Sequence, residues 1–339
     1  MIEEPFYIQW HITDHCNLRC RHCYQDNFTG RGDLGWEGLK AVADTLTSTL
    51  ERWQRSACIH VTGGEPLLRP DWFEVLSYLD RKPSIEEIGL ITNGLLIEQE
   101  VLERLAAIPS FKKLKISLDG ASARVNDTIR PKGTFQRIHE TLACIQEGYP
   151  FELFLMFTVM KSNFQDLPSL IRLCEEMGFD GLILERFIPW GRGRAIMGEV
   201  LHPEEWKEVL RTLFLSVDAD WDEDAPLPFQ AFQISFGDGD LELSGAPCVL
   251  GRDGVCVLPD GSVLPCRRFP VSIGNLLVQS FDDLWKNSKL LETLRDKKHL
   301  KGKCRACEIE ECRGCRSLAL ALTGDSLAED PHCGYHPKH

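Results

Sequence analysis

From residue 6 to about residue 185, short apolar runs alternate with longer stretches in which apolar side chains recur every three to four positions. The short runs, rich in β-branched and aromatic residues, predict strands; the longer 3.6-residue periodicity predicts amphipathic helices packed on them. Strands are expected over residues 6–12, 58–62, 88–92, 114–118, 151–159 and 181–185, and helices over 36–54, 72–79, 98–107, 135–147 and 167–177. Alternation of this kind builds a parallel sheet with helices on its outer face. Six units are too few to close an eight-stranded barrel, so the expected fold is α/β, a partial (β/α)6 TIM-like barrel. Its polar and glycine-rich segments fall just after the strands, where such barrels carry their sites.

Past Gly191-Arg192-Gly193-Arg194 a helix is predicted over 203–217, followed by an acidic, proline-containing stretch, 218–228, that reads as a connection. From about Ile234 the pattern changes to cysteine, glycine and short turns, with one helical segment over 281–294. The tail has too few apolar residues for a large core of its own, so metal is expected to hold it together. The predicted organisation is a barrel over 1–200, a connecting helix and linker over 201–240, and a small Cys-rich domain over 241–339.

The chain has 339 residues and a formal charge of -13. That charge speaks against nucleic acid or an anionic membrane as the main partner, since both reward a basic face. No segment approaches the roughly 20 apolar residues of a membrane span, and the first ten residues carry acids rather than a basic n-region. A cytoplasmic location is therefore expected. Fourteen cysteines in such a chain point to metal ligation more than to disulfides, because the cytosol keeps thiols reduced.

Cys16, Cys20 and Cys23 follow the first predicted strand in a C-x3-C-x2-C array. Three thiolates on a four-iron cluster leave one iron open to a further ligand; a zinc loop completed by His15 or His22 is the competing assignment. After the second strand stands Thr62-Gly63-Gly64-Glu65-Pro66, after the third Thr92-Asn93-Gly94, and at the fourth Ser117-Leu118-Asp119-Gly120. Taken singly these read equally as turn chemistry. Arg130 carries a fork suited to a carboxylate.

The tail holds Cys248, Cys256 and Cys266, then Cys304-x2-Cys307-x4-Cys312-x2-Cys315, and last Cys333. Eight cysteines make two sets of four, and on spacing alone a pair of zinc ribbons competes with two iron-sulfur clusters. Cys58, Cys144 and Cys174 sit among apolar neighbours in the sequence and are expected in the core.

Together these motifs resemble the radical S-adenosylmethionine (SAM) superfamily, with Cys16, Cys20 and Cys23 matching its cluster motif and Gly63-Gly64-Glu65 its GGE motif. The resemblance implies a [4Fe-4S] cluster that binds SAM, glycines that let the backbone approach the cofactor, an acceptor facing its ammonium, and further cofactor contacts from Asn93, Ser117, Asp119 and Arg130. Relatives often carry an aromatic residue before the third cysteine; this chain has His22 there and Tyr24 after it.

The tail resembles the SPASM domain, the auxiliary-cluster module of radical SAM enzymes that act mainly on peptides. Gly261-x4-Cys266, Ile273-Gly274-Asn275-Leu276 and the helix with Leu284 and Trp285 belong to that likeness. It implies two auxiliary iron-sulfur clusters of the [4Fe-4S] type, one on Cys248, Cys256, Cys266 and Cys315, the other on Cys304, Cys307, Cys312 and Cys333. The spacings within Cys307 to Cys315 are one residue shorter than usual.

The resemblance implies reductive cleavage of SAM to a 5'-deoxyadenosyl radical, hydrogen abstraction from substrate, and electron removal through the auxiliary clusters. The expected substrate is a ribosomally made peptide, modified by crosslinking, thioether formation or oxidation. An oxidoreductase or decarboxylase acting on a small molecule such as a tetrapyrrole is the enzymatic alternative, and an iron-sulfur or zinc scaffold the non-enzymatic one. Sulfatase-maturing relatives carry an Asp just after the Gly-x4-Cys cysteine; Arg267 stands here and counts against that activity. Arg186, Arg192, Arg194, Arg267 and Arg268 are candidates to receive an acidic peptide or a carboxylated molecule, against the plainer reading of solvated charge. Only 15 residues precede Cys16, so a peptide substrate is expected to be recognised by the barrel and tail or by a separate leader-peptide-binding protein; an external electron donor is the other expected partner.

Overall fold

The computed structural model describes residues 4–143, 145, 148–222, 227–237 and 241–335. Six strands, β1 (Phe6–His11), β2 (Ala57–Thr62), β3 (Ile85–Thr92), β4 (Phe111–Ser117), β5 (Glu152–Val159) and β6 (Gly181–Arg186), pair in sequence order and in parallel. Between them run α1 (Trp36–Trp53), α2 (Trp72–Asp80), α3 (Gln99–Ala106), α4 (Ala123–Ile129), α5 (Thr134–Ala143) and α6 (Leu167–Glu176). α1 shows why: Leu39, Val42, Ala43, Leu46 and Leu50 recur at three- and four-residue intervals and all are buried on the sheet. Parallel strands register through such crossover helices, and every β-strand C-terminus then opens toward one rim.

The C-terminal half extends this sheet at both edges. After α7 (Pro203–Ser216), β7 (Phe229–Phe236) and β8 (Leu241–Pro247) form a hairpin antiparallel to β6. On the opposite edge β9 (Gly254–Val257) pairs in parallel with β1, and β10 (Ser262–Leu264) and β11 (Gly274–Asn275) follow. Among the described residues the sheet order is β11-β10-β9-β1-β2-β3-β4-β5-β6-β7-β8. α8 (Phe281–Asn287), α9 (Lys289–Arg295), α10 (Gly302–Ala306) and α11 (Arg316–Thr323) complete the chain.

Two expectations need correction. The tail does not depend on metal alone for packing: Val255, Val257, Val263, Leu276, Phe281 and Leu284 join the main hydrophobic core, and Phe6 meets the rings of Phe281 and Trp285 edge-on at 5.6 and 5.0 Å. The helical segment over 281–294 is two helices, because the hydroxyls of Ser280 and Ser288 each accept a backbone N–H, from Asp283 and Leu291, and start a new helix.

Cys174 is fully buried, whereas Cys58 is half-buried with its thiol pushed up to about 11, by burial first and then by the charges of Glu87 and Glu86. Cys144 lies outside the described residues. Polar side chains meet on the inner face of the sheet near Cys58. The Tyr7 hydroxyl and the Lys115 Nζ lie 3.0 and 3.1 Å from His60 Nδ1, and Glu87 Oε1 lies 3.1 Å from its Nε2. Side chains on a strand alternate between faces, so these residues point inward while their neighbours meet the helices. No helix among the described residues is long and apolar enough to cross a membrane.

Candidate radical and cluster site

Cys16, Cys20 and Cys23 lie on the loop after β1, and all three line one cavity at the C-terminal rim of the strands. The loop is pinned from several sides: Arg21 N–H donates to Ile129 O at 2.8 Å, Gly193 N–H to Cys23 O at 3.0 Å, and the Arg19 guanidinium sits 4.4 Å from the Phe28 ring centre. Burial pushes the Cys16 thiol up to about 11 and that of Cys23 up to about 12. Free thiols here therefore keep their protons at neutral pH, and iron must displace them on binding.

Gly63 and Gly64 form the floor behind the cysteine loop. A Cβ on Gly63 would stand 2.3 Å from Thr13 O, and one on Gly64 would stand 2.4 Å from His15 O. Gly63 also has φ +153°. The close approach is used: Gly64 N–H and Glu65 N–H donate to Thr13 O and His15 O, both at 2.8 Å, tying the β2 turn to the cysteine loop.

Glu65 is fully buried and holds the next turn in place. Its Oε1 accepts from Leu67 N–H and the Thr92 hydroxyl, and its Oε2 accepts from Asn93 N–H at 2.8 Å. Glu65 itself is not among the residues that line the cavity; its carboxylate ties the β2 and β3 turns together behind that wall. Asn93 lines the cavity and donates to Asn17 Oδ1 at 2.7 Å, joining the β3 turn to the cysteine loop. Ser117, the last residue of β4, lines the same wall.

Burial raises the Glu65 carboxyl to about 7 from 4.5, outweighing the three donors that stabilise its charge. A carboxyl raised in the fold adds stability that is complete below pH 4.5 and is lost as pH climbs through 7. The unfolding free energy of SAM-free protein minus that of Glu65→Gln is therefore expected to fall between pH 5 and 8, by up to about 3 kcal/mol. Urea titrations of both proteins across that range measure it; a pH-independent difference would show Glu65 ionised throughout.

Asp119, like Glu65, does not line the cavity. It is fully buried behind the cavity wall, its Oδ2 accepting from Arg130 Nε at 2.7 Å and its Oδ1 from Thr158 N–H at 3.0 Å. His22 Nε2 lies 3.4 Å from the same carboxylate. Arg130 and His22, which both contact the Asp119 carboxylate, line the cavity, with Arg130 Nη1 4.0 Å from Cys20 Sγ. Tyr24, also on the cavity wall, sets its ring 5.7 Å from that of His11.

The arginines divide. Arg192 and Arg194 are exposed, the second over the Trp190 ring. Arg186, Arg267 and Arg268 line the same cavity as the three cysteines. Arg267 pairs with Glu185 and donates to Gln9 Oε1 at 2.9 Å, and Arg268 donates to Arg186 O at 2.9 Å. Gln9 and Glu185 escaped the sequence reading. The available signal was a polar residue at an inward position of an otherwise apolar strand.

Cys304, Cys307, Cys312 and Cys333 surround a second cavity with Arg186, Lys303, Asp330 and His332. The other tail cysteines gather separately: burial, then the charges of Cys315 and Cys266, push the Cys248 thiol up to about 12. Cys256 is buried in β9 beside Cys266, its backbone registered with Gln9 of β1 and Leu264 of β10. Four thiols in each set fit the all-cysteine ligation of iron-sulfur clusters.

The model of the radical SAM superfamily matches residues 10–174, and that of the SPASM iron-sulfur cluster-binding domain matches residues 248–316. The AdoMet-dependent heme synthase of Methanosarcina barkeri is 31% identical over 99% of this chain and 98% of its own. The mycofactocin maturase MftC of Mycobacterium ulcerans is 32% identical over 98% of this chain and 88% of its own. Among solved structures, anSMEcpe with bound AdoMet superposes with a TM-score of 0.73 at 19% identity, covering 97% of this chain and 94% of that one. Streptococcus suis SuiB bound to precursor peptide SuiA gives 0.68 at 14%, covering 97% and 76%.

The chain belongs to the radical SAM superfamily and carries a SPASM domain. It is a SAM-dependent enzyme with a [4Fe-4S] cluster, and its SPASM domain binds auxiliary iron-sulfur clusters.

Proposed function

We propose that Cys16, Cys20 and Cys23 hold the SAM cluster, that Cys304, Cys307, Cys312 and Cys333 hold one auxiliary cluster and Cys248, Cys256, Cys266 and Cys315 the other, and that the substrate is a peptide presenting a carboxylate. When bound, SAM and its cluster supply a 5'-deoxyadenosyl radical that removes hydrogen from the substrate. The observation that carries this reading is the shared cavity: Cys16, Cys20, Cys23, Arg186, Arg267 and Arg268 all line one space. An Arg fork receives a carboxylate through paired hydrogen bonds. With Arg186 paired to Asp330 and Arg267 to Glu185, Arg268, whose side-chain bond goes to the Arg186 carbonyl, is the first candidate to hold a substrate carboxylate in the cavity. Gly63, Gly64, Asn93, Ser117 and Arg130 hold the cofactor, Glu65 ties together the turns behind it, and Asp119 keeps Arg130 in place. The division into a barrel over 1–200, a connector over 201–240 and a cluster domain over 241–339 belongs to the same proposal, as do an external electron donor and a separate leader-binding protein.

The mycofactocin maturase relatives support a peptide. The heme synthase relatives, matched along almost their whole length, favour a second reading in which the arginines receive the carboxylates of an iron tetrapyrrole. Anaerobically reconstituted enzyme, reductant and SAM are incubated with short peptides encoded beside the gene and, in parallel, with a carboxylated iron tetrapyrrole. Loss of hydrogens from a peptide by mass spectrometry is the expected result. Turnover of the tetrapyrrole with every peptide unchanged would replace the peptide reading with the second.

A further inference from the structure

Arg186 ends β6 and borders both cavities. Its Nη1 lies 3.3 Å from both carboxylate oxygens of Asp330, and both side chains are only 4% exposed. A buried ion pair is retained at a cost in desolvation, which makes its surroundings informative. Asp330 Oδ2 accepts from Cys315 N–H at 2.7 Å, and the Asp330 backbone N–H donates to Cys304 Sγ at 3.3 Å. One residue therefore touches one cysteine of each tail set.

The pair is held rigidly from its outer side. The Arg186 guanidinium lies 5.3 Å from the Trp206 ring centre, Trp206 stacks on His332 at 5.6 Å, and His332 is fixed by Asp330 Oδ1 and by Leu201 O, each at 3.0 Å. Reduction potentials of iron-sulfur clusters follow local charge and the hydrogen bonds reaching their sulfurs. A buried carboxylate beside two thiolate sets makes adding an electron to either harder, and the guanidinium across from it offsets that effect.

We propose that the Arg186–Asp330 pair sets the reduction potentials of both auxiliary clusters and links them to the substrate cavity that Arg186 borders. The proposal rests on the assignment of the two tail cysteine sets as cluster ligands. Both residues act through the clusters as positioning residues; neither is offered as a catalytic residue.

The test uses the full chain with Cys16, Cys20 and Cys23 replaced by alanine, so that only the auxiliary clusters report. Iron analysis comes first, then potentiometric titration followed by electron paramagnetic resonance. Relative to this parent, Asp330→Asn, which keeps an acceptor for Cys315 N–H, moves both potentials positive. Arg186→Gln moves both negative, and Arg186→Lys, which keeps the charge, leaves them near the parent values. Opposite shifts from two halves of one pair are what a purely structural contact would not give. Unmoved potentials, a shift in one cluster alone, or shifts of the same sign in D330N and R186Q would overturn the proposal. If D330N loses iron, the sign of the R186Q shift decides by itself. A parent that binds far fewer than about eight irons instead overturns the cluster assignment, and the proposal with it.

Discussion

Alanine at Cys16, Cys20 and Cys23 together is expected to abolish 5'-deoxyadenosine formation from SAM, a fall of at least about a thousandfold, while removing about four irons per chain and leaving the rest. The three thiols line one cavity, four tail cysteines line a second, and none of the eight tail cysteines lines the first, so the losses separate. Burial keeps the unliganded thiols protonated, and alanine at these positions leaves the apolar packing of the fold intact. Iron analysis and chromatography of the SAM products measure both effects. Wild-type cleavage in the triple variant would refute the assignment.

Gly63→Ala is the second large effect. The new methyl group would stand 2.3 Å from Thr13 O on a residue with φ +153°, and backbone rather than a pliable side chain blocks it. Strain at such a position costs on the order of 3 kcal/mol. Because Gly64 and Glu65 N–H hold the segment between β1 and Cys16, that strain opens the cofactor floor, and SAM affinity is expected to drop by about a hundredfold. Equilibrium dialysis of SAM against reconstituted protein reads it, with iron content as the control that the cluster is still loaded. Unchanged affinity would show that the β2 turn does not support the cofactor.

Much of the barrel was legible because parallel strands and their covering helices leave a strong periodic signature. Residues 181–185, for example, predicted all but the last residue of β6. The tail was harder. β9, β10 and β11 are two to four residues long and show no periodicity, yet β9 joins β1 and carries Val255 and Val257 into the main core. The break at Ser288 was also available in principle, as a serine three residues before Leu291, but a continuous apolar pattern over both helices concealed it.

The cysteine spacings and glycine turns, taken singly, left zinc loops and plain turns open; it was their joint resemblance to the radical SAM superfamily that named the chemistry without coordinates. Roles that depend on direction came only from the folded chain. Asp119 and Arg130 are eleven positions apart in a motif-rich segment, and only packing shows that their side chains meet. Arg186, Arg267 and Arg268 were candidates that sequence could not tell from solvated charge; β6 and the tail bring them to one cavity and leave Arg192 and Arg194 exposed. Asp330 had no local signal at all. Its meaning lies in a hydrogen bond and an ion pair to residues far along the chain, and contacts of that range are set by how elements pack, which local residue patterns do not encode.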